Sequence, residues 1–150
     1  MAKLKVGIVG VGGISEAHIQ AYRKNPEVEL YAFCDINEDR LNEKADRYGV
    51  EKRFTKVEDL VAIPELDAVS VCTWNCAHAE CSIKALRAGK NVLCEKPMCV
   101  TIEEAAEICK AEKRSGKVIS VGFQPRFSPN MQMIKKIVQS GELGDIYYVQ

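Results

Sequence analysis

Leu4-Lys5-Val6-Gly7-Ile8-Val9-Gly10-Val11-Gly12-Gly13-Ile14-Ser15 is the stretch that decides the fold. Leu4 to Val9 is a short, mostly apolar run of the length and composition of a buried strand, with no helical period. From Ile14 to Arg23 the apolar spacing becomes helical, with Ile14, Ala17, His18 and Ala21 predicted on one face. Between the two lies a glycine turn. Gly10 permits the tight reversal, and Gly12 lets the backbone approach a pyrophosphate, which then meets the positive end of the helix dipole. The third glycine of such a loop falls at Ser15, a residue still small enough for close packing of helix on strand.

The same alternation continues outward. Strands are predicted at Glu29 to Cys34, Arg53 to Thr55, Ala68 to Cys72, Asn91 to Cys94 and Val118 to Val121. Between them lie a polar helix from Asn37 to Tyr48 closed by Gly49, a brief helix ending near Pro64, and a helix from Ala77 to Ala88 capped by Asn75 and stopped at Gly89. A further helix from Ile102 to Arg114 opens on Thr101, with Glu104 as its capping-box partner. Strand alternating with helix predicts an α/β fold, a doubly wound parallel sheet of the Rossmann type.

After Gly122 the pattern changes. Ser128 and Pro129 open a helix carrying Ile134, Ile137 and Val138, and Gly141 ends it. Ile146 to Val149 then reads as a strand with nothing to pair against. The expectation is therefore a Rossmann domain over 1–122, with 123–150 as a linking helix and the first strand of a second domain that is missing. That unpaired strand also offers a route to self-association.

Composition removes several classes. Lys plus Arg and Asp plus Glu each number 21, so no basic field recommends nucleic acid or an anionic membrane as partner. No apolar stretch reaches bilayer length, and the opening residues are too short for a secretory h-region, so a cytoplasmic location is expected. The seven cysteines contain no Cys-x-x-Cys pair, and Cys72, Cys76 and Cys81 lack zinc-type spacing. No metal is expected. Cys34, Cys72 and Cys94 each close an apolar run and are read as buried thiols, which last best in a reducing compartment.

Asp35 ends the second predicted strand at the distance from the glycine loop where an acid meets the adenosine ribose. It would accept hydrogen bonds from both ribose hydroxyls and repel a 2′-phosphate. Ile36 and Asn37 follow, with no arginine beside it, although Arg40 lies one helical turn on. NAD is favoured over NADP. Against this stands a plain glycine turn with Asp35 capping the next helix, or an S-adenosylmethionine enzyme, which nothing else in the chain supports.

In a doubly wound sheet, ligands sit beyond the carboxyl ends of the strands. Asn75, His78, Glu95 and Lys96 all fall just after predicted strands. A lysine there, partly buried beside a nicotinamide, could bond a substrate oxygen and exchange its proton. Pro97 makes a cis peptide feasible. Spacing alone leaves this reading level with an ordinary solvated Lys-Pro turn. His78 is left between loop anchor and cofactor contact, and His18 is read as a packed core residue.

Four blocks carry a family resemblance: Gly7-Ile8-Val9-Gly10-Val11-Gly12-Gly13-Ile14, Asn75 with His78, Ala88-Gly89-Lys90-Asn91-Val92-Leu93-Cys94-Glu95-Lys96-Pro97, and Gly122-Phe123-Gln124-Pro125-Arg126-Phe127. In this order they resemble the glucose-fructose oxidoreductase / inositol dehydrogenase / rhizopine-catabolism (Gfo/Idh/MocA) family over essentially the whole chain. The resemblance implies an N-terminal Rossmann domain, NAD(P), and hydride transfer to or from a sugar, cyclitol or related polyol. It implies Lys96 as the catalytic lysine and Glu95 beside the nicotinamide ribose. It also implies a cofactor loop through Thr73, Trp74, Asn75 and His78, and Arg126 facing the substrate. Trp74 departs from the proline common in the family, leaving open whether the indole stacks on the cofactor or covers the loop. The alternative function is a non-catalytic dinucleotide-binding or structural module.

Overall fold

The computed structural model describes residues 2–150; Met1, the first residue of the expected domain, lies outside the described residues. Six strands form one parallel sheet: β1 (Leu4–Val9), β2 (Val28–Cys34), β3 (Lys52–Phe54), β4 (Ala68–Val71), β5 (Asn91–Cys94) and β6 (Ile119–Val121). Their order is β3-β2-β1-β4-β5-β6. The chain therefore winds outward from β1 in one direction and from β4 in the other. The reversal between β1 and β4 opens a crevice at their carboxyl ends, the place where open α/β sheets bind ligands.

The central strands are apolar because both faces of the sheet are covered. Beneath α1 (Ser15–Lys24) and α2 (Glu38–Tyr48) pack Ile8, Val11, Ile19, Phe33, Leu41 and Ala45, all at most 2 % exposed. A second cluster gathers Val9, Val69, Val71 and Cys94 with Leu60 of α3 (Val57–Val61), Ala85 and Leu86 of α4 (His78–Arg87) and Ile108 of α5 (Ile102–Ser115). Local chemistry sets the helix ends. Asn37 accepts the Arg40 N–H, Gly49 closes α2 in the left-handed region, and Thr101 with Glu104 forms the complete capping box of α5.

Three expectations are corrected. The inward stripe of α1 is Ser15, His18, Ile19 and half-buried Tyr22, while Ile14, Ala17 and Ala21 are exposed. The helix begins one residue later than its apolar spacing suggested, and the sheet selects the stripe that fits beside Val11. Asn75 does not cap α4; residues Asn75–Ala77 form a 3₁₀ turn and α4 starts at His78 with no side-chain cap. Residues 146–149 form no strand, because no neighbouring strand supplies ladder partners.

Beyond Gly122 the chain makes a 3₁₀ turn over Gln124–Phe127 and then α6 (Pro129–Ser140), which ends at Gly141. Met131, Met133, Ile134, Ile137 and Val138 of α6 are all exposed. No helix among the described residues is long and apolar enough to cross a membrane.

Candidate functional site

At the crevice, Gly10 has a φ of +84°, a conformation that side chains rarely adopt. A Cβ there would lie 2.8 Å from the Cys72 carbonyl and the Thr73 nitrogen, so glycine is what lets the β1 and β4 loops touch. Gly12 and Gly13 differ: a Cβ at either meets nothing of the protein within 4 Å. Ser15, fully buried, donates its hydroxyl to the Gly12 carbonyl at 2.6 Å and ties the loop to the first turn of α1. That turn has no side-chain cap. The Glu16 and Ala17 N–H groups donate to the Gly13 and Ile14 carbonyls at 3.2 Å, and with no capping side chain over it the positive end of α1 faces the glycine loop, which suits an anion.

Asp35 closes the far side. It is 7 % exposed; Oδ2 accepts the Val11 N–H at 2.9 Å and Oδ1 the Asn37 N–H at 2.9 Å. Arg40, one helical turn on, brings a guanidinium nitrogen to 3.4 Å from Oδ1. The carboxylate is therefore fixed by two backbone amides, with Arg40 beside Oδ1, and Oδ2 keeps room for a further donor.

A cavity of about 560 Å³ joins these parts. Gly10, Gly12, Gly13, Ile14 and Asp35 line one side, and Thr73 and Trp74 the other. Trp74 is 78 % exposed, its indole free at the mouth. Asn75, His78, Glu95, Lys96 and Arg126 are not part of that lining. The volume, the open glycine backbone and the anchored acid fit the adenosine and pyrophosphate of a dinucleotide.

The Lys96 loop follows β5 along the same sheet edge. Glu95 is 3 % exposed; its Oε1 meets His18 Nε2 at 2.9 Å, and its Oε2 accepts the Lys96 N–H at 3.2 Å. The Lys96–Pro97 peptide is cis. Lys96 itself is exposed, not partly buried as expected, and its Nζ has no hydrogen-bond or ion-pair partner among the described residues. His78, 1 % exposed, spans two loops: Nδ1 lies 2.6 Å from the Pro97 carbonyl and Nε2 3.1 Å from the Thr73 carbonyl. Asn75 and Arg126 are exposed, and their side chains bond to nothing described.

One pairing was missed from sequence: His18, buried as read, also holds Glu95. The inward spacing Ser15, His18, Ile19, Tyr22 was the available signal for it.

The model for the Gfo/Idh/MocA oxidoreductase family, NAD-binding Rossmann fold, matches residues 4–123. Myo-inositol 2-dehydrogenase of Thermotoga maritima is 32 % identical over 141 residues, covering 94 % of this chain and 42 % of that protein. Inositol 2-dehydrogenase of Salmonella typhimurium is 35 % identical over 144 residues, again 94 % of this chain and 43 % of the relative. In structure, scyllo-inositol dehydrogenase from Lactobacillus casei with bound NAD(H) and scyllo-inositol superposes with a TM-score of 0.88 at 29 % identity, over 96 % of this chain and 43 % of that one. The WlbA dehydrogenase from Bordetella pertussis, in complex with NADH and UDP-GlcNAcA, gives 0.90 at 32 % identity, over 97 % and 44 %. The chain spans about two-fifths of the length of these relatives. A glycine loop, an anchored acid just after β2 and a Glu-Lys-Pro block on one sheet edge, with a family match over most of its length, make this chain a member of the Gfo/Idh/MocA oxidoreductase family, with that family's NAD-binding Rossmann fold.

Proposed function

We propose that the chain is the cofactor-binding portion of an NAD-dependent oxidoreductase acting on a sugar, cyclitol or related polyol. The observation that carries this is the cavity at the β1–β4 switch point, bounded by Gly10, Gly12 and Asp35, with Lys96 on the next loop of the same edge. Residues 123–150 are the connection to a substrate domain.

NAD, when bound, supplies the acceptor for the hydride that leaves a substrate carbon. The rest falls to this chain. The glycine loop and the start of α1 would hold the pyrophosphate, and Asp35 would take the adenosine ribose hydroxyls. Thr73 and Trp74 would border the cofactor from the β4 side, with Asn75 next to them on the same loop. Lys96 Nζ, as the free amine, would take the proton of the substrate hydroxyl as that oxygen becomes a carbonyl, and Glu95 Oε2 accepts the Lys96 backbone N–H and so fixes that backbone. Arg126, on the turn after β6, is placed to meet substrate.

Asp35 sets cofactor choice. Its buried carboxylate opposes a 2′-phosphate, and Arg40 is already engaged with it, so NAD is preferred to NADP. All seven cysteines are free thiols, which supports a reducing, cytoplasmic setting. Lys96 stands exposed, whereas hydride transfer needs water excluded. Residues 2–150 by themselves therefore fit cofactor binding without turnover, the part of the non-catalytic reading that a specific observation favours.

Titration of the chain with NADH, followed by nicotinamide fluorescence, tests the proposal. Saturable binding in the micromolar range, lost in G12A, supports it. No binding at millimolar NADH removes it.

A further inference from the structure

The cavity reaches past Asp35. Along the carboxyl edge of the sheet the glycine loop follows β1, Asp35 follows β2, and the segment from Thr55 to Glu58 follows β3, the outermost strand on that side. The Asp35 N–H donates to the Phe54 carbonyl at 3.1 Å, so the end of β3 sits directly beside the acid. Glu80, Cys81 and Lys84 of α4 line the same cavity. Pyrophosphate and ribose account for the first two positions along this edge. The third, where α3 and α4 meet, has no role so far.

Lys84 Nζ lies 2.6 Å from Glu58 Oε1 and also donates to Glu80 Oε1, joining α3 to α4 at the cavity wall. The ammonium holds the Glu58 carboxyl below the usual carboxylate range, so it stands there as an anion. In both glutamates Oε1 is spent on Lys84. Oε2 takes no hydrogen bond or ion pair from another residue among those described. A lysine ammonium has three N–H donors, and two are given to these carboxylates. The wall therefore offers two oxygens that accept and cannot donate, beside one spare donor, with Val57, Ala77 and Cys81 as apolar neighbours.

We infer that Glu58 and Glu80 are specificity-determining residues that select the base of the dinucleotide, taking the exocyclic amino group of adenine on a free carboxylate oxygen. The inference rests on the cofactor reading above. On its N7 edge adenine carries an amino donor beside a ring-nitrogen acceptor, which matches a carboxylate oxygen beside the spare Lys84 N–H. Hypoxanthine carries a carbonyl oxygen in place of that amino group. Two acceptors would then face each other, so the oxopurine loses a bond and meets repulsion. Both glutamate side chains are more than half exposed, so water competes for the same oxygens and the preference is modest.

The test is a fluorescence titration of the chain with NADH and with reduced nicotinamide hypoxanthine dinucleotide, which differ only in the base and report through the same nicotinamide. The chain should bind NADH about fivefold more tightly. E58Q/E80Q, whose amides can donate to a carbonyl oxygen, should bring the two dissociation constants to parity, with each single variant in between. K84M removes the tie between α3 and α4 but neither carboxylate, and should keep the preference. Equal affinities in the unmodified chain overturn the inference and leave the cofactor reading in place. An unchanged ratio in E58Q/E80Q overturns it as well. So does a ratio lost as fully in K84M, which would make the tie between the helices the cause. Binding of neither dinucleotide removes the cofactor reading, and this inference with it.

Discussion

His18 Nε2 and Glu95 Oε1 lie 2.9 Å apart, joining the first helix to the lysine loop across 77 residues of chain. Both side chains are almost fully buried, and the ring of Tyr22 meets His18 edge-on at 6.4 Å between centroids. Removing the imidazole leaves the buried Glu95 carboxyl with the Lys96 amide as its remaining described donor. H18A should therefore cost about 2 kcal/mol in urea unfolding, the scale of a hydrogen bond to a charged group left unmade. H18Q, whose amide nitrogen can reach toward the same oxygen, should recover part of it. Equal losses for alanine and glutamine would mean that packing of the ring, and not the bond to Glu95, carries the effect.

Gly10 and Gly12 separate folding from binding. At Gly10 an added methyl collides with the Cys72 and Thr73 backbone at 2.8 Å and must hold a positive φ. G10A should lose about 2 kcal/mol or more of stability. At Gly12 the space is open on the protein side, so G12A should fold with an unchanged urea midpoint and lose NADH binding at least tenfold. Denaturation and fluorescence titration on the two variants check this directly. Unimpaired binding by G12A would show that no phosphate approaches that backbone.

Asp35 and Arg40 set up a charge test of cofactor choice. While the carboxylate is present, it holds Arg40 at 3.4 Å and repels a further phosphate. D35N removes the negative charge and one backbone acceptor, so NADH should bind about tenfold more weakly while NADPH gains relative to it. Adding R40A should erase that relative gain, since the freed guanidinium is what would meet the 2′-phosphate. The measured quantity is the ratio of NADH to NADPH dissociation constants, and a ratio that does not move in D35N would remove Asp35 as the discriminator.

Strand positions and the glycine loop were legible because they are local. Leu4–Val9, Gly10 and Asp35 each declare themselves within a few residues, and the capping box of Thr101 and Glu104 is a four-residue pattern. What sequence spacing could not give were the pairings that the sheet creates. His18 meets Glu95 only because β1 and β5 bracket β4, and His78 reaches Thr73 and Pro97 only because two strands end on one edge. The α1 stripe was misassigned for a related reason. Ile14 and Ala17 have the apolar spacing of a buried face, but the helix rotates to place small Ser15 against the loop. The Ile146–Val149 strand failed on a different count: β propensity alone gives no ladder without a neighbour to bond.

Thiol chemistry gives a pH prediction. Burial pushes the Cys34 and Cys72 thiols up to about 12 and the Cys81 and Cys94 thiols up to about 11, from an ordinary value of 9.0. The folded chain thus keeps these protons at a pH where the unfolded chain has released them. Their contribution is complete below pH 9 and is lost as pH rises through 11 to 12, with Tyr22, also raised by burial, adding in the same direction. A tenfold difference in proton affinity between folded and unfolded chain is worth about 1.4 kcal/mol, so each thiol accounts for something on the order of 3 kcal/mol by the top of that range. Urea midpoints should be level from pH 7 to 8.5 and fall steeply above pH 9.5, and C72A should blunt the fall. The same burial predicts reactivity: iodoacetamide at pH 8 should label the exposed Cys76 and Cys109 first, and leave Cys34, Cys72, Cys81 and Cys94 untouched until the chain unfolds. Early labelling of Cys72 in native protein would mean that the cavity floor opens without global unfolding.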